Sequence, residues 1–445
     1  MKLLIKNGRV IDPRSGVDDH LDVLVEEGKI RGIAPAIEVE DAVVIDASNR
    51  VVTPGLIDMH VHLRQPGQHE YKETIRSGSR SAAKGGFTTV VCEPNTVPPI
   101  DCGKRIRQVL DIAKADSIVN LYTKECITKG MKGKEMVSIG QGVKAGAVAL
   151  TDDGFPVASF DIIEKAASEA KEYGIPICPH CEESRLKGRK EPSARWRREG
   201  LVKRRYHSEA AYIERDIQIV KGTRCPFHFL HVSLAKSIRH IAQAKDKGLP
   251  VTAEATPHHF TLTEQDARDI GPNARVNPPL RTAEDVEAVK KAVRDDLIDV
   301  IASDHAPHTP DEKASDKPPF GVIGLETTLG IVLTHLVHTG VLSLRSVIEK
   351  MTVNPARILK VKAGELSVGM PADITIIDPN RAWVVDVKEF ESKGRNCPFD
   401  GWKLKGRAVM TIVAGRVVMS EGRVFDPPVE DQHLLEQPKF PILKA

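Results

Sequence analysis

The stretch Gly55-Leu-Ile-Asp-Met-His-Val-His-Leu-Arg64 decides the fold. Its apolar part is short and nearly continuous, which reads as a strand buried on both faces. In a strand, residues two apart share a face, so His60 and His62 point the same way. If the strand opens a barrel, that face looks inward and its end reaches the mouth.

Seven further runs of the same kind follow: Phe87–Cys92, Ser117–Tyr122, Gly146–Thr151, Ile175–Cys178, Phe227–His231, Pro250–Glu254 and Asp299–Ser303. Stretches between them, such as Asp161–Tyr173 and Leu234–Lys247, repeat apolar residues at three- and four-residue spacing. Buried strands alternating with helices imply a parallel sheet. Eight units over roughly 250 residues fit a (β/α)8 TIM-like barrel. A doubly wound open sheet shares this alternation, and strand count alone does not separate the two.

The ends of the chain read differently. Leu3–Ile11, Leu21–Val25 and Val43–Ile45 alternate as half-buried strands do, and so do Asp373–Ile377, Val409–Val413 and Val417–Ser420. The expected organisation is an α/β protein. Residues 1–52 and 366–425 form a small composite β-sandwich domain built from both termini, residues 53–365 form the catalytic barrel, and 426–445 form a tail packed on the surface.

Composition narrows the classes. The chain has 445 residues, 41% hydrophobic and 28% charged, enough to bury a sizeable core. A formal net charge of +3 gives no reason to expect a nucleic-acid or membrane partner. No run of 18 apolar residues occurs, and the opening MKLLIKNGRVID alternates like a strand, so neither a membrane span nor a leader is expected. Seven scattered cysteines are unlike a secreted disulfide framework and point to a reduced, cytoplasmic setting. Cys178-Pro-His-Cys181 has the CxxC form of thiol oxidoreductases. It closes a strand here instead of opening a helix, which disfavours a redox role. Basic residues cluster between Leu186 and Tyr206, expected as a solvated excursion, with a partner-subunit contact as the alternative.

Chemistry gathers at the strand ends. His180 and His231 end or follow the fifth and sixth runs, Asp153 follows the fourth and Asp304 the eighth. Barrel active sites are built at that face. Four histidines and two aspartates converging there suit one or two divalent ions such as Zn²⁺. Neutral imidazoles leave the ion a strong Lewis acid, a carboxylate can bridge two ions, and bound water becomes hydroxide near neutral pH. Asp304 is the candidate to shuttle a proton from that water to a leaving nitrogen.

The chain resembles the type I dihydroorotases of the amidohydrolase superfamily over nearly its whole length. The likeness rests on Asp58-Met-His-Val-His-Leu-Arg64, Pro94-Asn-Thr96, Thr151-Asp-Asp-Gly154, His180-Cys-Glu182, Phe229-Leu-His-Val-Ser233, Asn277-Pro-Pro-Leu280 and Ser303-Asp-His-Ala-Pro-His308. It implies metal ligands at His60, His62, Asp153, His180, His231 and Asp304. It also implies one or two zinc ions per subunit, two being favoured with Asp153 as bridge, and reversible closure of N-carbamoyl-L-aspartate to L-dihydroorotate in pyrimidine synthesis. Arg64, Asn95, Asn277, His308, Phe320 and Gly321 fall on the family's substrate-binding positions. Arg64 suits a bidentate hold on a carboxylate. A homo-oligomer is expected, and association with aspartate transcarbamoylase stays open.

Rivals are an allantoinase, hydantoinase or dihydropyrimidinase, and a non-catalytic dihydroorotase-like scaffold for aspartate transcarbamoylase. Arg64 and the absence of a bridging lysine argue against hydantoinase and dihydropyrimidinase. The complete ligand set argues against a scaffold. Three features stand out. Asp153 holds the place of the carboxylated lysine of many relatives, and Glu93 stands where the family often has Met, so it must point away from an anionic substrate. Cys178 is expected to pack beneath the site as an apolar thiol. The polar, Pro-rich stretch Thr309–Pro319 reads as a mobile lid.

Overall fold

A computed structural model describes residues 2–182 and 209–426. The basic 186–206 segment and the tail beyond 426 lie outside the described residues.

The chain first lays down five strands: β1 (Lys2–Asp12), β2 (Val17–Glu26), β3 (Lys29–Ala34), β4 (Val43–Asp46) and β5 (Val51–Pro54). β1 and β2 pair antiparallel, as do β2 and β3, while β4 and β5 run parallel to β1. Alternation within β1 sends Leu3, Ile5 and Val10 into one apolar cluster with Val23 and Val25. After β5 the chain passes through Gly55 directly into the barrel.

Six named barrel strands follow: β6 (Leu56–Val61), β7 (Phe87–Cys92), β8 (Asn120–Glu125), β9 (Ala147–Leu150), β10 (Phe227–Phe229) and β11 (Val251–Ala255), with β12 (Val300–Ile301) after them. All their pairings are parallel. The fifth segment joins the ring through bridges from Ile177 to Leu150 and Phe227. The ring closes where Val61 bridges His305 and the His62 amide donates to the His305 carbonyl at 2.8 Å. Eight parallel segments thus form a closed barrel, which rules out the open doubly wound sheet.

Helices between the strands follow the expected patterns. Phe160–Tyr173 is capped by Ser159 and ended by Gly174 in the left-handed region; Ala235–Asp246 carries the sixth unit. The helix Ile75–Gly85 starts at a Thr74–Ser77 capping box and ends at Gly86, where φ is +94°. A β-carbon at Gly86 would come within 2.8 Å of Ala408, so both backbone and packing require glycine.

One strand is displaced from its expected place. The run Ser117–Tyr122 predicted the third barrel strand, but β8 begins at Asn120. Ser117 caps the preceding helix Gly103–Asp116 in an extended conformation, and its hydroxyl bonds Val119. Ile118 and Val119 are therefore apolar because they line a buried turn. The three-residue shift brings Lys124 and Glu125 into the strand.

Four strands complete the sheet: β13 (Ile374–Val384), β14 (Lys403–Val413), β15 (Arg416–Ser420) and β16 (Arg423–Val424). β13 pairs antiparallel with β5, so both ends of the chain share a nine-stranded sheet among the described residues. Its order is β16-β15-β14-β13-β5-β1-β2-β3, with β4 on β1. Inside the barrel, Met59, Val91, Ala149, Cys178, Leu230, Val300 and Ala302 form an apolar layer. No helix among the described residues is long and apolar enough to cross a membrane.

Candidate active site

Above that apolar layer the barrel turns polar. His60 lies near the end of β6 and is fully buried. Its Nδ1 lies 2.5 Å from Glu254 Oε1 at the end of β11. A carboxylate can only accept, so Nδ1 carries the hydrogen and the Nε2 lone pair faces inward. Nε2 is buried with no hydrogen-bond partner among the described residues. His228 donates to the other Glu254 oxygen at 3.1 Å, which fixes the carboxylate in turn. A histidine oriented by a carboxylate behind it is the usual arrangement for a metal ligand.

Around His60 Nε2 stand two adjoining donor sets, His60–His62–Asp304 and His60–Asp153–His231, each with its donor atoms within 4.8 Å of one another. Asp304 Oδ1 lies 3.0 Å from His62 Nε2 and 3.4 Å from His60 Nε2. Asp153 turns Oδ2 toward His62 at 3.5 Å and Oδ1 toward His231 at 3.6 Å and His180 at 3.1 Å. His180 also lies 2.8 Å from His231. All six residues anticipated as ligands therefore meet in one buried cluster, with Asp153 between its two halves. Such a cluster fits a binuclear metal site.

The electrostatics suit a cation. Burial works against a charged His60, but Glu254, Glu93 and Asp304 outweigh it and raise its pKa well above 6.5. Burial alone would also raise the carboxyls of Asp153 and Asp304. Hydrogen bonds from His180 and His231 instead hold Asp153 well below 3.8, and the charge of His60 with a hydrogen bond from His62 does the same for Asp304. The same negative potential that draws protons to His60 and His231 would draw a metal ion.

Backbone strain concentrates here. Arg64 (φ +61°), His231 (φ +33°) and Asp304 (φ +50°) all lie in the left-handed region, where residues other than glycine are rare. Each follows the end of a barrel strand, and the turn redirects its side chain over the mouth.

The donor cluster opens into a cavity of about 420 Å³ lined by Arg64, Lys72, Asn95, Asn277, His308, Phe320 and Gly321 among others. Every anticipated substrate-contacting residue therefore faces it. Asn95 accepts from His62 Nδ1 at 2.9 Å and donates to Asp153 at 3.3 Å, so it also positions two members of the cluster. The Asn277 amide lies 3.0 Å from His180 Nε2. Arg64 is buried, and its Nε has no hydrogen-bond partner among the described residues. Burial lowers its pKa to about 10, which leaves it charged at neutral pH. His308 is lowered to about 3 by burial and by Arg64, Lys72 and Lys313, so it is neutral.

Thr309–Pro319, read from sequence as a lid, begins with a capped turn of helix, Pro310–Lys313. The Glu312 carboxylate pairs with Lys72 at 2.7 Å, and Lys313 donates to the Pro319 carbonyl at 3.0 Å. Asn396 holds the far side by donating to the Ala306 and Gly321 carbonyls, both at 3.0 Å. At Gly321, φ is +129° and a β-carbon would lie 2.8 Å from that of Ala306. Only glycine brings the backbone so close there.

Glu93 does point away from the cavity. It turns into the barrel, where Lys124 forms a buried ion pair with its Oε1, which stands 3.8 Å from His60 Nε2. Burial works against the Lys124 charge, but Glu93 outweighs it and keeps the ammonium protonated. Cys178 packs in the apolar layer, its thiol pushed up to about 12 by burial, and all seven cysteines are free.

Sequence reading missed Glu254, Lys72, Lys124 and Asn396. Glu254 was within reach, because it ends the seventh apolar run and a ligating histidine needs a carboxylate behind it.

Comparison with known proteins agrees with this geometry. Residues 51–418 match the model of the Amidohydrolase family. A dihydroorotase of Caldanaerobacter subterraneus is 43% identical over 96% of this chain and 99% of its own length. One of Pelotomaculum thermopropionicum is 46% identical over 95% and 99%. Among solved structures, an L-hydantoinase (dihydropyrimidinase) from Arthrobacter aurescens superposes with a TM-score of 0.83 at 29% identity, covering 95% of this chain and 97% of its own. A D-hydantoinase superposes at 0.84 with 23% identity and 96% coverage of both chains, a likeness of fold alone. Sequence relatives, barrel and buried histidine–carboxylate cluster lead to one placement: the chain belongs to the amidohydrolase family and, within it, to the dihydroorotases.

Proposed function

We propose that this dihydroorotase is zinc-dependent and interconverts N-carbamoyl-L-aspartate and L-dihydroorotate in pyrimidine synthesis, in the cytoplasm. The observation that carries the substrate assignment is Arg64: a buried guanidinium with an unpaired Nε, on the wall of a cavity whose floor is the donor cluster. Leaving such a donor unmatched is costly unless an anion takes it up. The carboxylate common to dihydroorotate and carbamoyl aspartate does so. A neutral hydantoin or dihydropyrimidine ring would not.

In this reading His60, His62, Asp153, His180, His231 and Asp304 would hold one or two ions, two being favoured with Asp153 shared between them. Zinc bound there would supply a Lewis acid and make water a nucleophile near neutral pH. Arg64 grips the substrate carboxylate in a fork, Asn95, Asn277 and His308 add hydrogen bonds, and Phe320-Gly321 closes the mouth. The scissile ring amide is thereby aimed at the donor cluster. Asp304 lines the cavity beside the cluster. Its carboxylate takes a proton from the attacking water and returns it to the ring nitrogen as the amide opens. In the reverse direction the same oxygen removes the proton from the carbamoyl nitrogen. Two further proposals belong to this reading: a homo-oligomer, and an association with aspartate transcarbamoylase.

The test is hydrolysis of L-dihydroorotate followed in the ultraviolet, before and after chelation and zinc restoration, beside allantoin, a hydantoin and dihydrouracil. Chelator-sensitive turnover of dihydroorotate alone is expected. Turnover of one of the other rings in its place would transfer the chain to the rival activity, and no turnover of any would leave a scaffold.

A further inference from the structure

Lys72 lies on the cavity wall beside Arg64, with only 8% of its side chain exposed. A buried ammonium needs acceptors. Lys72 Nζ has two, Glu312 Oε1 at 2.7 Å and His308 Nδ1 at 3.3 Å. On the opposite side of the imidazole, His308 Nε2 lies 2.9 Å from the Phe320 carbonyl oxygen. A carbonyl only accepts, so Nε2 carries the ring hydrogen, and Nδ1 presents the lone pair that the ammonium requires.

A competitor stands at the same atom. Glu312 Oε2 lies 3.4 Å from His308 Nδ1. A carboxylate would pull the proton to Nδ1, either giving the opposite tautomer or stabilising an imidazolium. Lys72 suppresses that outcome twice over. It occupies the Nδ1 lone pair, and it satisfies Glu312, which also takes the Tyr71 hydroxyl at 2.8 Å and the Thr309 amide at 3.2 Å.

The tautomer matters because of what faces Nε2. Arg64 Nη2 approaches it at 3.4 Å. Both atoms are donors in the Nε2–H form, so this contact is no hydrogen bond. An anionic oxygen seated beside them would accept from Arg64 and share the Nε2 hydrogen with the Phe320 carbonyl. We infer that Lys72 is a positioning residue that holds His308 as its Nε2–H tautomer, so that His308 and Arg64 present a paired donor set to the substrate carboxylate. The consequence for substrate rests on the dihydroorotase reading above; the tautomer does not. Through Glu312 the same ammonium ties the loop carrying Phe320-Gly321 to this donor pair.

The experiment is nitrogen NMR of the 15N-histidine-labelled, metal-loaded enzyme without substrate, with His308 assigned through His308→Gln. The wild type is expected to show Nε2–H at His308. Lys72→Met is expected to move His308 to Nδ1–H or to the imidazolium. It should also raise KM for dihydroorotate about tenfold while kcat falls less, the size of one lost hydrogen bond to a charged group. Lys72→Arg should restore both readouts, and Lys72→Met with Glu312→Gln should recover Nε2–H because the competing carboxylate is gone. Persistence of Nε2–H in Lys72→Met, or Nδ1–H in the wild type, would overturn the assignment. If the tautomer behaves as stated but dihydroorotate is not turned over, the substrate reading fails and the role of Lys72 stands.

Discussion

The composite sheet and the open face of the barrel bury their side chains by opposite means. The sheet core is aliphatic: Leu3, Ile5, Val10, Val23, Ile374, Ile376 and Ile412 pack in one cluster. The barrel face buries four histidines, two aspartates and an arginine, three of these residues on left-handed backbone. Burying apolar surface stabilises in proportion to area, whereas burying charges costs free energy that only close partners offset. The sheet therefore supplies stability, and the barrel face draws on it to hold a strained, charged constellation. A mutation in one region should leave the other region's observable unmoved.

The largest effect is expected at Asp304. Asp304→Asn keeps the size of the side chain, and asparagine tolerates its φ of +50°. It cannot take up a proton. Turnover in both directions should fall by about 10³ or more, while the melting temperature stays equal or rises as a buried charge is removed. A variant that keeps more than a tenth of kcat would end the shuttle assignment.

Ile412→Ala probes the opposite region. Ile412 is fully buried opposite Ile374. Deleting three carbons there should cost about 3 kcal/mol in urea-unfolding stability, with KM and kcat unchanged below the transition. Loss of activity in step with stability would show that the two regions are not separable.

How far each region was legible follows from the range of its interactions. The sheet strands and barrel runs could be read because alternation and apolar continuity are local. The six cluster residues could be read because a strand end in a barrel is a place of known chemistry. Lys124 was hidden by an apolar turn, Ile118-Val119, that imitates the start of a strand. Lys72 and Asn396 were hidden because their roles are hydrogen bonds to residues 236 and 90 positions away. No periodicity encodes such pairs. Glu254 lies between these cases: its position is a strand end, but its partner His60 is 194 residues off.

Glu254→Gln sharpens the comparison inside the barrel. The amide oxygen can still accept from His60 Nδ1, but the negative charge is gone. Metal affinity should fall about tenfold, read as metal retained after dialysis against a graded chelator, with little change in melting temperature of the loaded protein. An unchanged affinity would mean that the aspartates alone set the potential at His60.

The last test concerns a carboxyl that belongs to neither scheme. Glu125 ends β8 facing outward; it is fully buried, and neither of its oxygens has a hydrogen-bond partner among the described residues. Glu93, buried just past the neighbouring strand β7, has Lys124; Glu125 has no cation partner among the described residues. Burial, with Asp101 and Glu169 adding to it, raises its pKa to about 8, so it is neutral in the fold at pH 7. In the unfolded chain it ionises near 4.5. The native state therefore holds one more proton between these values, and stability must fall as pH rises from about 4.5 to about 8, then level off. The slope from this one group approaches 1.4 kcal/mol per pH unit at most. Glu125→Gln removes the ionisation and should flatten that part of the urea-midpoint profile, leaving turnover intact. If the wild type and the variant keep parallel profiles across this window, the carboxyl has found a counter-charge, and the contrast between Glu93, matched by Lys124, and Glu125, unmatched, fails.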